Sequence, residues 1–126
     1  MTSHPTEVFI VDDSAQIRTR LAQMLSAMEH VRLIGEADCA LEAIGHIRRL
    51  RPDCVLLDLN LLGRSGLEVL RAIHAESPGI AFIVLTNHSE PQYRSACMEA
   101  GARYFLDKSS EFERVPELVA GLAPQQ

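Results

Sequence analysis

The sequence predicts an α/β fold in which five parallel strands alternate with five helices in one doubly wound sheet. Three observations carry this expectation. Short apolar runs alternate with stretches whose apolar residues recur at helical spacing along nearly the whole chain. The run Ile80 to Leu85 is almost purely apolar, as a strand covered on both faces requires. Turn and cap residues punctuate the alternation, and right-handed crossovers then place helices on both faces of the sheet.

Each element has its own signal. Val8–Val11 reads as the first strand, and Ile17, Leu21, Leu25 and Met28 share one face of the helix that follows. Val31–Ile34 reads as the second strand. Ala40, Ala43, Ile44 and Ile47 mark the second helix, with Asp38 as its expected N-cap. Cys54–Leu57 is the third strand. Ser65-Gly66-Leu67-Glu68 has the capping-box pattern and opens a third helix through Leu70 and Ile73. Pro78-Gly79 makes a turn into the fourth strand, which ends at Thr86. Ser89-Glu90-Pro91-Gln92 is read as another box opening a fourth helix, which Gly101 closes. Arg103–Asp107 is the fifth strand. A last helix runs through Leu118 and Leu122, and Pro116 suits it only if it starts late.

A chain of 126 residues suits a single domain over 1–126, with a core of about 7–122 and loose ends through Thr6 and from Ala123. No apolar run approaches the ~20 residues that span a bilayer, and the first residues lack the basic and apolar segments of a secretory signal. A cytoplasmic protein is therefore expected. Three cysteines, Cys39, Cys54 and Cys97, lack metal-ligand spacing and read as reduced, buried thiols. The net charge of −5 argues against direct DNA binding. The cluster Arg48, Arg49 and Arg51 reads as a solvated helix end. Eleven arginines accompany a single lysine, Lys108.

In a parallel sheet all strand C-termini lie on one edge, where ligands bind. The residues just past four of the five apolar runs are Asp12-Asp13, Asp58, Thr86 and Lys108. Each has an ordinary explanation on its own: a helix cap, a side-chain turn, a solvated charge. Asp58 resists it, because no helix begins directly after it. Together, three carboxylates, a hydroxyl and the only lysine are expected to meet on one rim. Two unit charges about 4 Å apart interact by roughly 4 kcal/mol at an effective dielectric near 20, so such a cluster needs a cation. Oxygen ligands without a nearby His or Cys point to Mg2+. A lysine suits contact with a phosphate oxygen, as a compact charge on a flexible stem.

Phe9-Ile10-Val11-Asp12-Asp13, Asp58 at a strand end, Gly66 eight residues later, Thr86 and Lys108 together resemble response-regulator receiver domains of two-component signalling, and among them the stand-alone, chemotaxis-regulator-like kind. The resemblance covers about Val8 to Leu122. It implies a flavodoxin-like sheet of order 2-1-3-4-5, and it implies roles. Asp58 would take a phosphoryl group from a histidine kinase, a histidine phosphotransfer protein or a small phosphodonor. Asp13, Asp58 and the Asn60 backbone carbonyl would hold Mg2+, with Asp12 acting through water. Thr86 and Lys108 would contact the phosphoryl oxygens, and Phe105 would be an aromatic switch that turns inward as Thr86 moves. The protein would be a receiver that catalyses only its own phosphorylation and dephosphorylation. Two positions depart from the family: Leu62 stands where proline is frequent, and Ser109 follows Lys108 where proline is usual, joined there by a cis bond that costs about 3 kcal/mol before a non-proline residue.

Other readings fit less well. A haloacid-dehalogenase-like phosphatase needs an Asp where Asn60 stands. A flavodoxin-like electron carrier needs a Ser/Thr/Gly-rich loop where Asp12-Asp13 would repel the flavin phosphate. The serious alternative is a receiver-like protein-interaction module that works without phosphorylation. After Leu122 only Ala-Pro-Gln-Gln follows, with no room for an effector domain, so output is expected through contacts with a kinase partner or a downstream target protein. Homodimerisation through the last helices is left open. His88 and Asn60 should lie beside the phosphate's access path, although for His88 a polar side chain that simply faces water is the more ordinary explanation.

Overall fold

The computed structural model describes residues 4–122. Five parallel strands, β1 (Thr6–Val11), β2 (Val31–Ala37), β3 (Cys54–Leu57), β4 (Ala81–Thr86) and β5 (Tyr104–Asp107), form one sheet in the order β2-β1-β3-β4-β5. Helices α1 (Ala15–Ser26), α2 (Ala40–Leu50), α3 (Gly66–Glu76), α4 (Pro91–Glu99) and α5 (Val115–Ala120) connect or follow them. The expected fold and strand order are both found.

Alternation along each strand divides the core in two. Phe9, Val11, Val55, Leu57, Phe82, Val84 and Phe105 pack on one face beneath α2, α3 and α4. Val8, Ile10, Cys54, Leu56, Ile83, Leu85 and Leu106 pack on the other with residues of α1 and α5. All residues of β3 and β4 are buried, so these strands read as continuous apolar runs rather than alternating ones. The register places Val11 beside Leu57, Leu57 beside Val84, and Thr86 beside Asp107.

Several boundaries differ from the sequence expectation, each for a physical reason. Thr6 is not part of a loose end: it is buried, opens β1, and its N–H donates to the His30 carbonyl at 2.8 Å. The expected loose segment from Ala123 lies outside the described residues. Strand β2 runs on to Ala37 because pairing with β1 continues to Val11, so Cys39 rather than Asp38 takes the N-cap place of α2, without a side-chain bond. At α3, Ser65 is the N-cap as expected, but its hydroxyl accepts from Leu67 N and Glu68 pairs with Arg64 at 3.0 Å instead of closing the box. At α4, Glu90 is the N-cap, Pro91 occupies the first turn, and Ser89 bonds elsewhere. The last segment begins as a short 3-10 turn, Phe112–Arg114, so α5 does start late and Pro116 falls in its first turn.

Gly101 follows α4 with φ +110, a conformation L side chains rarely adopt. A Cβ there would also stand 2.5 Å from the His74 ring of α3. The three cysteines are free, with Cys54 and Cys97 buried and Cys39 half-buried. Arg48 and Arg49 lie in the last turn of α2, where a cation favours the helix dipole, and Arg48 forks onto Glu76 of α3 at 3.0 and 3.1 Å. No helix among the described residues is long and apolar enough to cross a membrane.

Candidate functional site

The strand ends do bring Asp12, Asp13, Asp58 and Lys108 together. Asp12 follows Val11 on β1 and Asp58 follows Leu57 on β3, and Asp58 N donates to Val11 O at 2.9 Å, continuing the ladder one step beyond the strands. The alternation that sends Ile10, Leu56 and Leu106 to the α1/α5 face sends Asp12, Asp58 and Lys108 the same way. Lys108 Nζ donates to Asp12 Oδ2 at 2.8 Å and to Asp58 Oδ2 at 3.0 Å. All three side chains are largely buried, with 9% of Lys108, 3% of Asp12 and 6% of Asp58 exposed, so these contacts are little screened.

The remaining oxygens have local donors. Asp12 Oδ1 accepts from Ser14 N at 2.8 Å, and Asp58 Oδ1 accepts from Asn60 N at 3.2 Å. Asn60–Leu61 and Arg64–Ser65 form a two-residue antiparallel hairpin that returns the chain from Asp58 to α3. Gly66, the first residue of α3, donates its N–H to Leu59 O at 2.8 Å and lies close under the Asp58 carbonyl. Thr86 is fully buried at the end of β4, and its Oγ1 accepts from His88 N at 3.2 Å. Lys108 N donates to Thr86 O at 2.8 Å, and the Lys108–Ser109 peptide is trans.

Burial, above all, raises the pKa of Asp12 above the ordinary carboxylate value, against the hydrogen bonds from Lys108 and Ser14 that lower it. Burial alone would lower that of Lys108. The bonds and charges of Asp12 and Asp58 outweigh it and hold the ammonium above its ordinary value. The lysine therefore stays charged and offsets part of the carboxylate repulsion. One oxygen each of Asp12, Asp13 and Asp58 lies within 4.8 Å of the others, a donor set suited to a hard divalent ion. A cavity of about 220 Å3 opens there, lined by Asp13, Ser14, Ile17, Asp58, Asn60, Asn87, His88 and Lys108. It is smaller than the usual drug-sized pocket of about 300–1,000 Å3, and its charged lining suits a small polar group.

A family model described as the response regulator receiver domain matches residues 8–120. The chain belongs to the response-regulator receiver family. The receiver is 32% identical over 113 residues to the response regulator GacA of Pseudomonas aeruginosa, covering 90% of this chain and 53% of that protein. It spans about half the length of the curated relatives it matches. Among solved structures it resembles the response regulator domain of Thermotoga maritima CheB, with TM-score 0.81, 26% identity, and 93% and 92% of the two chains covered. It also resembles a chain of the CheX–CheY–BeF3–Mg2+ complex from Borrelia burgdorferi, with TM-score 0.80, 25% identity and 91% and 90% covered.

Phe105 lies beneath α4, with 4% of it exposed. The Arg94 guanidinium stands 5.1 Å from its ring centroid and donates to the Phe105 carbonyl at 3.3 Å. His88 is exposed, lines the cavity, and its ring tilts against Tyr93 at 5.7 Å. Sequence reading missed Asn87 and Ser14, which also line the cavity. Both were within reach of the same logic: Asn87 is the next residue past the fourth strand, and Ser14 follows Asp13 as the N-cap of α1.

Proposed function

We propose that the receiver accepts a phosphoryl group on Asp58 from a histidine kinase or histidine phosphotransfer protein, in the presence of Mg2+, and signals through protein contacts that depend on that group. The observation that supports it most is the Lys108 ammonium, 3.0 Å from Asp58 Oδ2 in a cavity lined almost wholly by polar side chains. A carboxylate oxygen of Asp58 attacks the donor phosphorus, a P–O bond to Asp58 forms, and the bond to the donor breaks with its electron pair leaving on the donor atom. Asp13 and Asp58, with Asp12 through water and the Asn60 backbone carbonyl, are the residues we assign to the ion. Mg2+ there supplies charge compensation between the carboxylates and the incoming phosphoryl oxygens. Lys108 is released from Asp58 Oδ2 to pair with a phosphoryl oxygen, and its charge is already in place, so little reorganisation is needed.

Thr86 is the hydroxyl assigned to a second phosphoryl oxygen. Turning towards it would break the bond from His88 N and so disturb the β4–α4 loop. Arg94 N donates to Glu90 O of that loop and its guanidinium stands over the Phe105 ring, so the pair supplies a route from the phosphate to the surface of α4, β5 and α5. Kinase or phosphotransfer contacts belong beside the cavity mouth, and a downstream target protein belongs on the α4 side. Such chemistry suits the cytoplasm, where kinase domains and their donors are found.

Incubation with acetyl phosphate and Mg2+, followed by intact-mass analysis or a Phos-tag gel, tests this reading. One added phosphoryl group is expected on the wild-type chain and none on Asp58→Asn. An unlabelled wild type, or equal labelling of Asp58→Asn, would overturn it and favour an interaction module that works without phosphorylation.

A further inference from the structure

Lys108 is rooted in a turn that a neighbouring carboxylate holds. Asp107, the last residue of β5, points away from the three-carboxylate group, on the Phe105 side of the sheet. Its Oδ1 accepts from Ser109 Oγ at 2.6 Å, from Ser109 N at 2.9 Å and from Ser110 N at 3.2 Å. Its Oδ2 accepts from Ser89 Oγ at 2.6 Å. Its backbone is held as well: Asp107 N donates to Glu111 Oε1 at 2.9 Å, and Glu111 N donates to Asp107 O at 2.8 Å.

Capture of the N–H groups two and three residues on by an Asp side chain is a common local turn. The Ser89 bond is not local. Ser89 lies in the β4–α4 loop, directly after Asn87 and His88, which line the cavity. One carboxylate thus ties the loop that follows Thr86 to the turn that carries Lys108. The Ser109 hydroxyl, followed by the Ser89 hydroxyl and the Ser109 N–H, holds the Asp107 carboxyl well below the ordinary carboxylate range, so it stays an acceptor at neutral pH. A lysine stem is long and flexible, and its ammonium keeps a fixed place only if the backbone that carries it does.

We propose that Asp107 is a positioning residue: by capturing Ser109 and Ser110 and bridging to Ser89, it holds the root of Lys108 so that the ammonium sits over Asp58. The proposal rests on Asp58 being the phosphoacceptor only where rates are concerned. The placement of the lysine can be read independently.

The chain's single lysine makes that reading direct. Selective 13C-lysine labelling gives one side-chain CεH2 signal in the NMR spectrum of the full chain. In the wild type its two protons are expected to be inequivalent, because Nζ is held by two carboxylates. In Asp107→Ala the inequivalence should collapse towards that of a free lysine. The maximal rate of Asp58 labelling by acetyl phosphate should fall about tenfold, with the half-saturating donor concentration little changed, as misplacement of a positioned group requires. Asp107→Asn, which keeps one carbonyl oxygen for Ser109, should recover part of both. Ser89→Ala removes the bridge alone and should give an intermediate change. It also serves if Asp107→Ala does not fold.

Gly101→Ala, destabilised far from the site, should leave the lysine signal as in the wild type. Wild-type lysine signals and maximal rates in both Asp107→Ala and Ser89→Ala would overturn the proposal, as would an equal collapse in Gly101→Ala. A wild type that shows the inequivalent signal but takes no phosphate would instead overturn the function proposed above and leave the placement of Lys108 standing.

Discussion

Replacing Gly66 by alanine perturbs the backbone that carries Asp58. A Cβ at this position would lie 2.0 Å from the Asp58 carbonyl oxygen and 3.0 Å from both the Asp58 carbonyl carbon and the Leu59 Cα. All three are backbone atoms, so no side chain can swing aside. The Cβ and the oxygen must part by about 1 Å before they reach even the closest contact such atoms tolerate, which is the scale of a backbone shift from overpacking. Either the start of α3 retreats, weakening the bond from Gly66 N to Leu59 O, or the Asp58–Leu59 segment moves against the bond from Asp58 N to Val11 O. Overpacking of this kind costs about 1–3 kcal/mol, and one weakened hydrogen bond adds roughly 1 kcal/mol. A loss of about 2–4 kcal/mol leaves an ordinary domain folded.

The urea midpoint, followed by far-UV circular dichroism, should therefore fall by about 1 M or more at unchanged m. Displacing Asp58 by the same distance should slow its labelling by acetyl phosphate by about 100-fold. A variant within about 0.5 kcal/mol of wild type, the range of an inconsequential surface change, and labelled at the wild-type rate would refute the close approach of α3 to Asp58.

Three further outcomes follow from the site and its surroundings. Mg2+ at about a hundred times its Kd should add about 2.7 kcal/mol to stability by mass action, read as a rise in Tm. Asp13→Asn, with one fewer charged ligand in the cluster, should lose most of that rise, and an undiminished rise in the variant would exclude Asp13 as a ligand. Burial pushes the thiol pKa of Cys54 up to about 12 and of Cys97 up to about 11, while Cys39 is half-buried, so a thiol reagent near pH 8 should titrate one group quickly and two more only on unfolding. Three equally fast thiols would contradict the packing. The Asp107 carboxyl lies below its ordinary value of 3.8 in the folded chain, so its contribution is complete above about pH 5 and is lost as the pH falls past the ordinary value towards the folded one. The Tm difference between wild type and Asp107→Ala should accordingly narrow between about pH 5 and pH 2, whereas a constant difference would show that the carboxylate charge plays no part.

The sheet and the meeting of Asp12, Asp13, Asp58 and Lys108 were legible because they depend on order and alternation. Apolar runs mark strands, and parallel strands share an edge, so residues far apart in the chain can be assigned to one rim before any contact is known. What was not legible depends on competition between a local partner and a distant one. Ser89 has the spacing of a helix cap, but folding brings Asp107 within 2.6 Å of its hydroxyl, and the carboxylate takes it. Glu68 has the spacing of a box partner, but Arg64 one turn earlier claims it. Asp38 loses the cap of α2 to Cys39 because the pairing of β2 with β1 carries the strand further than its apolar residues do. The trans geometry of the Lys108–Ser109 peptide was open for the same reason: the bonds that hold that turn come from Asp107.

The pairing of Val11 with Leu57 has a consequence for how such a site can change. Sheet register works as a ruler with fixed divisions. A slip of one residue would carry Asp58 about 3.3 Å along the strand and turn its side chain to the opposite face, so the pairing that sets Asp12 beside Asp58 can change only in whole steps. Point substitutions in the surrounding loops can alter which groups visit the cavity, how long they stay and what the outer surface displays. They cannot change which residue of β1 lies beside which residue of β3. The pairing at the centre is thus stepped by the fold, while the groups around it are free to drift.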